Sequence, residues 1–388
     1  MTADAAVAIA RAFVAEVVAP VAADLDRHPN PEDCFSWEIV EEGSERGLRT
    51  LTLLPEFGGG GADCLTTAKV VEELARGDMG VSVVFAQTLK LIQALQGAAN
   101  AEQRARVLPK IKDDPRCVLA IGMTEPQTSS NYIIPYGPAA FVTAATRRGN
   151  GWVINGKKRF ISNGNRARFY MLFAQTNPAK GLNQGSTCFL IERGTPGFTT
   201  GHVEDKMGER LANNAELIFN DCFVPDEDVL GEVDRGFEVI SQFFPASNAY
   251  AAASVLGVAV AAYERSLSWT RQRVQGGKAL IAHDIVAAQL AEMHMLIDAA
   301  RAYIHHAACK ADQRASSDWD PTLGALPKVF ASEVAWKVVT KALELHGGYG
   351  YMRDGGFEKL VRDAACFIHS DGVNRTLLLK AAQFIRES

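Results

Sequence analysis

Hydrophobic positions change period twice along the chain. From the start to about Asp114 they recur at helical spacing. Phe13, Val17, Val18 and Val21 share one face, and Val70, Val71, Leu74 and Ala75 repeat the interval after a glycine turn at 58–61. Pro20 falls inside the first stretch; lacking the N–H that an interior turn needs, it predicts a kink or a restart. From about Val118 to Leu230 the pattern shortens to β-rich runs beginning at Phe141, Trp152, Arg159, Tyr170, Cys188 and Glu216. Turn residues at Gly149-Asn150-Gly151, Asn155-Gly156 and Asn163-Gly164 separate them. Runs at that spacing predict a compact antiparallel sheet or barrel. After Gly236 the helical period returns in long segments over 249–269, 284–314 and 326–345, and these predict a bundle. No βαβ alternation appears, which argues against a doubly wound nucleotide fold.

Composition narrows the function classes. The 388 residues carry 40 Lys+Arg against 45 Asp+Glu, a formal charge of −5. No basic excess exists to neutralise a phosphate backbone, so nucleic acid is not expected as a partner. The seven cysteines are scattered without a CxxC pair, which supports neither a disulfide framework nor a zinc cluster. The N-terminal stretch is apolar but has no basic leader and contains acids, so it reads as an amphipathic helix rather than a secretory signal. The longest apolar run, 249–263, is too short to cross a bilayer and Ser254 interrupts it. The expectation is a reduced, cytoplasmic protein with no membrane partner.

Isolated motifs decide little. The four glycines at 58–61 lack the following Gly-Lys-Ser/Thr of a phosphate-binding loop and read as a turn before a helix near Leu65. Gly347-Gly348-Tyr349-Gly350 reads as a helix C-cap or as a place where a cofactor approaches backbone. His305 and His306 are adjacent on a helix and face apart, no HExxH occurs, and no metal site is expected. No GxSxG elbow supports a hydrolase. The tract from Ile121 to Asn131 gathers hydroxyls and backbone N–H groups that suit either a polar turn or the edge of a ring or pyrophosphate.

Taken together, ten tracts in register resemble the acyl-CoA dehydrogenase flavoproteins over nearly the whole chain. They are Leu54-Pro-Glu-Phe-Gly-Gly-Gly-Gly, Glu72-Glu-Leu-Ala-Arg, Met123-Thr-Glu-Pro, Asn155-Gly-Lys-Lys-Arg-Phe-Ile-Ser-Asn-Gly, Thr195-Pro-Gly-Phe, Lys206-Met-Gly-Glu-Arg, Val224-Pro, Val229-Leu-Gly, His346-Gly-Gly-Tyr-Gly-Tyr and Arg362-Asp-Ala. The resemblance implies an α+β, mostly α fold: an N-terminal helical domain over 1–117, a middle β-barrel domain over 118–232 and a C-terminal four-helix bundle over 233–388. It also implies FAD, an acyl-CoA substrate, an electron-transfer flavoprotein as partner, and a homotetramer or a heteromer with a related subunit.

Residue by residue, the resemblance puts Met123 and Thr124 at the isoalloxazine edge and Ser130 at the pyrophosphate and the substrate. Phe160 would stack near the ring while Ser162 donates to N5/O4. Arg273 matches an arginine that reaches a neighbouring subunit's FAD, and Glu344, Gly347 and Gly348 match the segment covering the rest of that cofactor. The base that takes the α-proton falls at Asp371, beside Gly372 at the substrate, where most of the family carries Glu-Gly. The alternative location on the first bundle helix, Phe244-Pro-Ala-Ser-Asn248, has no acid. Aspartate is one methylene shorter, which points to an unusual acyl group, cyclic or branched. Two other readings stand beside desaturation: a nitroalkane-oxidase-like flavin oxidase, and a catalytically silent subunit of a heteromeric complex. Gly276, Val373, Asn248 and the turn Gln127-Thr128-Ser129 depart from the family's usual residues near the cofactor and CoA.

Overall fold

The structure is a computed structural model that describes residues 2–129, 140–313 and 319–387. Six helices come first: α1 (Ala3–Phe13), α2 (Ala22–Asp26), α3 (Trp37–Glu45), α4 (Cys64–Gly77), α5 (Met79–Ala98) and α6 (Ala101–Asp113). Pro20 lies in the break between a π-helical turn at Val14–Val18 and the restart at Ala22. The middle of the chain forms β1 (Leu119–Gly122), β2 (Ala144–Arg148), β3 (Gly151–Ser162), β4 (Phe169–Gln175), the short helix α7 (Gly181–Gly185), β5 (Ser186–Glu192), β6 (Phe198–Val203), β7 (Asn214–Pro225) and β8 (Val229–Leu230). The C-terminal part holds α8 (Gly236–Gln272), a small hairpin of β9 (Val274–Gln275) and β10 (Lys278–Ala279), α9 (Asp284–Asp312), α10 (Leu326–His346), α11 (Gly348–Tyr351), α12 (Glu358–Cys366) and α13 (Asn374–Glu387).

Among the described residues the middle strands form one eight-stranded sheet in the order β6-β7-β3-β2-β4-β5-β8, with β1 pairing β4. Most pairs are antiparallel, as the short turns predict, but β1 and β2 each pair β4 in parallel. Two local expectations differ. Asn155-Gly156 is no turn: β3 runs unbroken through it, and Gly156 sits at φ 142° where the register with β7 slips. A Cβ there would lie 2.5 Å from the Thr143 Cα, so a close approach, not a reversal, demands the glycine. The run at Phe141 is no strand either. Its backbone N–H groups go to side chains instead, Phe141 to Gln175 Oε1 and Val142 and Thr143 to the Glu125 carboxylate.

Helix α5 is the axis on which the parts meet. Asp78 caps its start by accepting the Val81 N–H at 3.0 Å. Sixteen of its 20 residues are buried, so it is a core helix with no solvent face to speak of. Ser82 Oγ meets Ser254 Oγ of α8 at 3.0 Å, Thr88 Oγ1 accepts the Leu119 N–H of β1, and Gln93 Oε1 accepts from Tyr250. Helix α8 is longer than its apolar run predicts and packs against α4, α5, α9 and α10. Its stretch Phe243–Gln272 is the one described helix apolar and long enough to cross a membrane, and 83% of that window is buried inside the protein.

At the head of α5, a Cβ on Gly80 would fall 2.7 Å from Ala212 N and 2.8 Å from Leu211 N, both backbone atoms that cannot swing aside. Gly80→Ala is expected to destabilise the protein by about 1–3 kcal/mol through overpacking. A chemical denaturation midpoint indistinguishable from the parent would contradict this packing.

Candidate functional site

The loop after β1 is held by a buried ion pair. Lys158 of β3 is fully buried, and its Nζ donates to Glu125 Oε1 at 2.7 Å and to the Met123 carbonyl at 3.1 Å, while its ammonium lies 3.7 Å from the Phe141 ring centroid. Burial pulls this lysine down to about 8, with Glu125 opposing the shift. The Glu125 carboxylate also accepts the Val142 and Thr143 N–H groups, and the Thr124 carbonyl accepts from Arg159 N. With both carbonyls turned toward β3, the Met123 and Thr124 N–H groups donate to no protein acceptor among the described residues. Met123 is buried and Thr124 half-buried.

The next strand turns its side chains toward the same region through a bulge. The β3–β7 register slips between Lys158 and Ile161, which lets Lys158 point inward and leaves Phe160 51% exposed. Phe160 has φ 61° and Asn163 φ 60°, left-handed values that a bulky side chain rarely takes. Strain of this kind gathers at ligand sites. Ser162 is half-buried and its Oγ accepts weakly from Asn214 at 3.4 Å. Asn163 Nδ2 donates to the Leu119 carbonyl and to the Val84 carbonyl of α5, which ties this turn to the core helix.

Asp371 lies in the loop between α12 and α13 and meets α5 further along that helix. Its Oδ1 accepts from Lys90 Nζ at 3.1 Å, across 281 positions of sequence. Lys90 is six residues after Val84 on α5, a rise of about 9 Å. The Asp371 side chain is 32% exposed and that of Lys90 8%. Asp371 has φ 50° and Gly372 φ 100°, so the loop is a sharp one that needs the glycine. Lys328 of α10, fully buried and drawn down to about 8 by burial, donates to the Gly372 carbonyl at 2.7 Å and to Asn374 Oδ1 at 3.0 Å. The Asp371 and Gly372 N–H groups have no protein acceptor among the described residues. Ser130 lies outside the described residues.

The other expected residues share a separate cleft of about 630 Å³ at the end of the bundle, lined by Arg273, Glu344, Gly347 and Gly348 together with Trp269 and Tyr349. The Arg273 guanidinium lies 5.8 Å from the Trp269 ring and 5.3 Å from that of Tyr349, and it has no carboxylate partner among the described residues. Trp269 Nε1 is buried there without a hydrogen bond to any described residue. Gly347 adopts φ 56°, and no atom of the described residues lies within 4 Å of where a Cβ would stand on it or on Gly348. No hydrogen bond or ion pair among the described residues joins this cleft to the Met123–Ser162 set. A free guanidinium, an orphaned indole N–H and bare backbone fit the phosphates of a dinucleotide, and the β-domain loop with its exposed Phe160 and free N–H groups fits a flat polar-edged ring.

Sequence reading missed Lys328, which stands in no quoted tract and holds the Gly372 carbonyl, and gave no role to several others. Lys158 and Glu125 stand within quoted tracts but carried no role. Lys90 and Gln87 belong to an apolar helix and to no motif; their signal is that a lysine and a glutamine interrupt Val-Ser-Val-Val-Phe-Ala-Gln-Thr-Leu-Lys-Leu-Ile, where a core helix has little use for them.

Family models described as the N-terminal, middle and C-terminal domains of acyl-CoA dehydrogenase match residues 2–114, 120–222 and 234–385. The chain is 33% identical over 377 residues to the short-chain-specific acyl-CoA dehydrogenase of Megasphaera elsdenii, covering 96% of this chain and 94% of that one. It is 32% identical over 383 residues to cyclohexane-1-carbonyl-CoA dehydrogenase of Syntrophus aciditrophicus strain SB, covering 97% and 94%. A chain in the solved structure of the electron transferring flavoprotein of Acidaminococcus fermentans superposes with a TM-score of 0.92 at 29% identity, covering 100% of this chain and 99% of that one.

Removing Glu125 strands the buried Lys158 ammonium and two backbone donors. Glu125→Leu is expected to cost about 3–5 kcal/mol, read by urea denaturation; a loss below about 1 kcal/mol would show that the pair is not holding the loop.

Proposed function

The chain belongs to the acyl-CoA dehydrogenase family, and from that premise we propose that it desaturates an acyl-CoA thioester between its α and β carbons with Asp371 as the base. It is a flavin-dependent oxidoreductase of acyl-CoA with FAD as its cofactor. When bound, FAD supplies the two-electron acceptor for the hydrogen that leaves the β-carbon.

The protein's own part is to make a weakly acidic C–H give up its proton. The observation that carries the proposal is the Asp371 carboxylate, held half-buried in a strained loop by Lys90 on its side chain and Lys328 on the adjoining carbonyl. That loop leaves the Asp371 and Gly372 N–H groups free to donate to the thioester oxygen, where charge gathers as the α-proton departs. Asp371 takes the proton as general base. Met123, Thr124, Phe160 and Ser162 are proposed to hold the ring, with Ser130 at the pyrophosphate and the substrate. Arg273, Glu344, Gly347 and Gly348 are proposed to close over a neighbouring subunit's cofactor, which requires an oligomer such as a homotetramer.

Because aspartate reaches one methylene less far than glutamate, the α-carbon must be presented closer to the loop, and a ring or branched acyl group does so. The relative named for a cyclohexane-1-carbonyl thioester supports that direction. An electron-transfer flavoprotein is proposed as the acceptor of electrons, supported by the solved structure named for one.

Asp371→Asn is expected to keep FAD while slowing anaerobic flavin bleaching by acyl-CoA roughly 10²–10⁴-fold. Bleaching at the parent rate would remove Asp371 from this role. Arg273→Leu should weaken FAD retention roughly tenfold or more, one charge-assisted hydrogen bond's worth, measured as flavin content after dialysis; full retention would place Arg273 outside the cofactor site.

A further inference from the structure

We infer that the acyl pocket beside Asp371 is built for an acyl group bearing a hydroxyl, held between Gln87 and Lys90 of α5; the inference rests on the desaturation reading above. Gln87 and Lys90 are three positions apart and so share one face of the helix. Lys90 reaches Asp371, which sets that face against the proposed base. Each residue is only 6% exposed.

Both side chains are under-used by the protein. The Gln87 amide, with two N–H donors and an acceptor oxygen, makes no hydrogen bond to any described residue. Lys90 has three N–H donors and spends one, on Asp371 Oδ1. Leaving such groups unmet in a closed interior costs about 1–3 kcal/mol each, and a hydrocarbon chain laid over them would impose that cost. The neighbours one turn either side of Lys90, Ala86 and Ala94, are alanines with no polar side-chain atom, so neither offers Lys90 or Gln87 a hydrogen-bond partner. The Asp371 side chain keeps 32% of its surface open at the same place.

Charge decides which polar group fits. Lys90 and Asp371 already neutralise each other, so a carboxylate on the acyl group would set a second negative charge against the base. A hydroxyl meets both neighbours: it accepts from a spare Lys90 N–H and donates to Gln87 Oε1. A site of this kind rejects the analogue lacking the hydroxyl, because its own polar groups are then left bare.

The test is anaerobic flavin bleaching of the FAD-loaded protein by cyclohexanecarbonyl-CoA, its 3-hydroxy and 4-hydroxy ring derivatives, and the corresponding ring carboxylate. At least one hydroxylated thioester is expected to exceed the unsubstituted one in kcat/KM by roughly tenfold or more, and Gln87→Leu to collapse that ratio toward one. Equal or faster bleaching by the unsubstituted or the carboxylated thioester overturns the inference and leaves desaturation standing. Bleaching by none of them overturns the inference, and butyryl-CoA in the same assay then decides desaturation: bleaching by it leaves that reading standing, and none overturns it too. A preference that survives Gln87→Leu removes Gln87 from the assignment and overturns the inference as stated. Should that variant lose FAD, the unmutated protein's ratio decides alone.

Discussion

An ammonium can be buried only where oxygens replace the water it gives up, and the joints of this protein are made of that constraint. Lys158 is buried against Glu125 and the Met123 carbonyl, which fixes the loop after β1 to β3. Lys328 is buried against the Gly372 carbonyl and Asn374, which fixes the loop between α12 and α13 to α10. Lys359 bridges Asp78 at the head of α5 and Asp363 of α12 at 2.6 Å each. Lys90 on α5 holds the side chain of Asp371. Three of the four couple segments more than forty positions apart, and each would strand a charge if its partner moved. The candidate site is therefore set by electrostatic demand as much as by apolar packing.

Helix α5 carries the consequence into function. Its start is capped by Asp78, its middle is tied to the Asn163 turn through the Val84 carbonyl and to β1 through Thr88, and its far turns hold Asp371 and Tyr250. The strand residues that present a ring and the loop that presents a carboxylate come from separate parts of the chain. A single rigid, buried rod gives them a common reference, and its near-total burial leaves it no freedom to tilt. Preorganisation of that sort is what a carbon acid needs, because a donor or base displaced by an ångström loses most of its effect.

The order of helices, sheet and helices was legible from period alone, because burial imposes 3.6 on α4 and α10 and shorter runs on β4 and β5. The errors lie where a side chain replaced a backbone partner or where glycine did a job other than turning. Asn155-Gly156 carries the composition of a hairpin, yet Gly156 lets β3 pass close to Thr143. The Phe141 run carries the composition of a strand, yet the carboxylate of Glu125 and the amide of Gln175 take its N–H groups. Family tracts pointed to Asp371, Arg273 and Phe160 because such tracts record short stretches of sequence. They could not point to Lys90, whose meaning comes from a residue 281 positions away.

That difference explains why the reaction is more legible than the substrate. The reaction depends on groups that every member of the family must present, and those sit in recognisable tracts. The side chains of α5 that face Asp371 belong to no such tract, so their chemistry shows only as an exception to the helix's apolar pattern. Gln87 and Lys90 are such exceptions: Lys90 answers Asp371, while the Gln87 amide meets no described residue. A polar amide left unmatched beside the proposed base is what the proposed recognition of a hydroxyl would use, and under that proposal polarity rather than chain length is what α5 contributes to the choice of substrate.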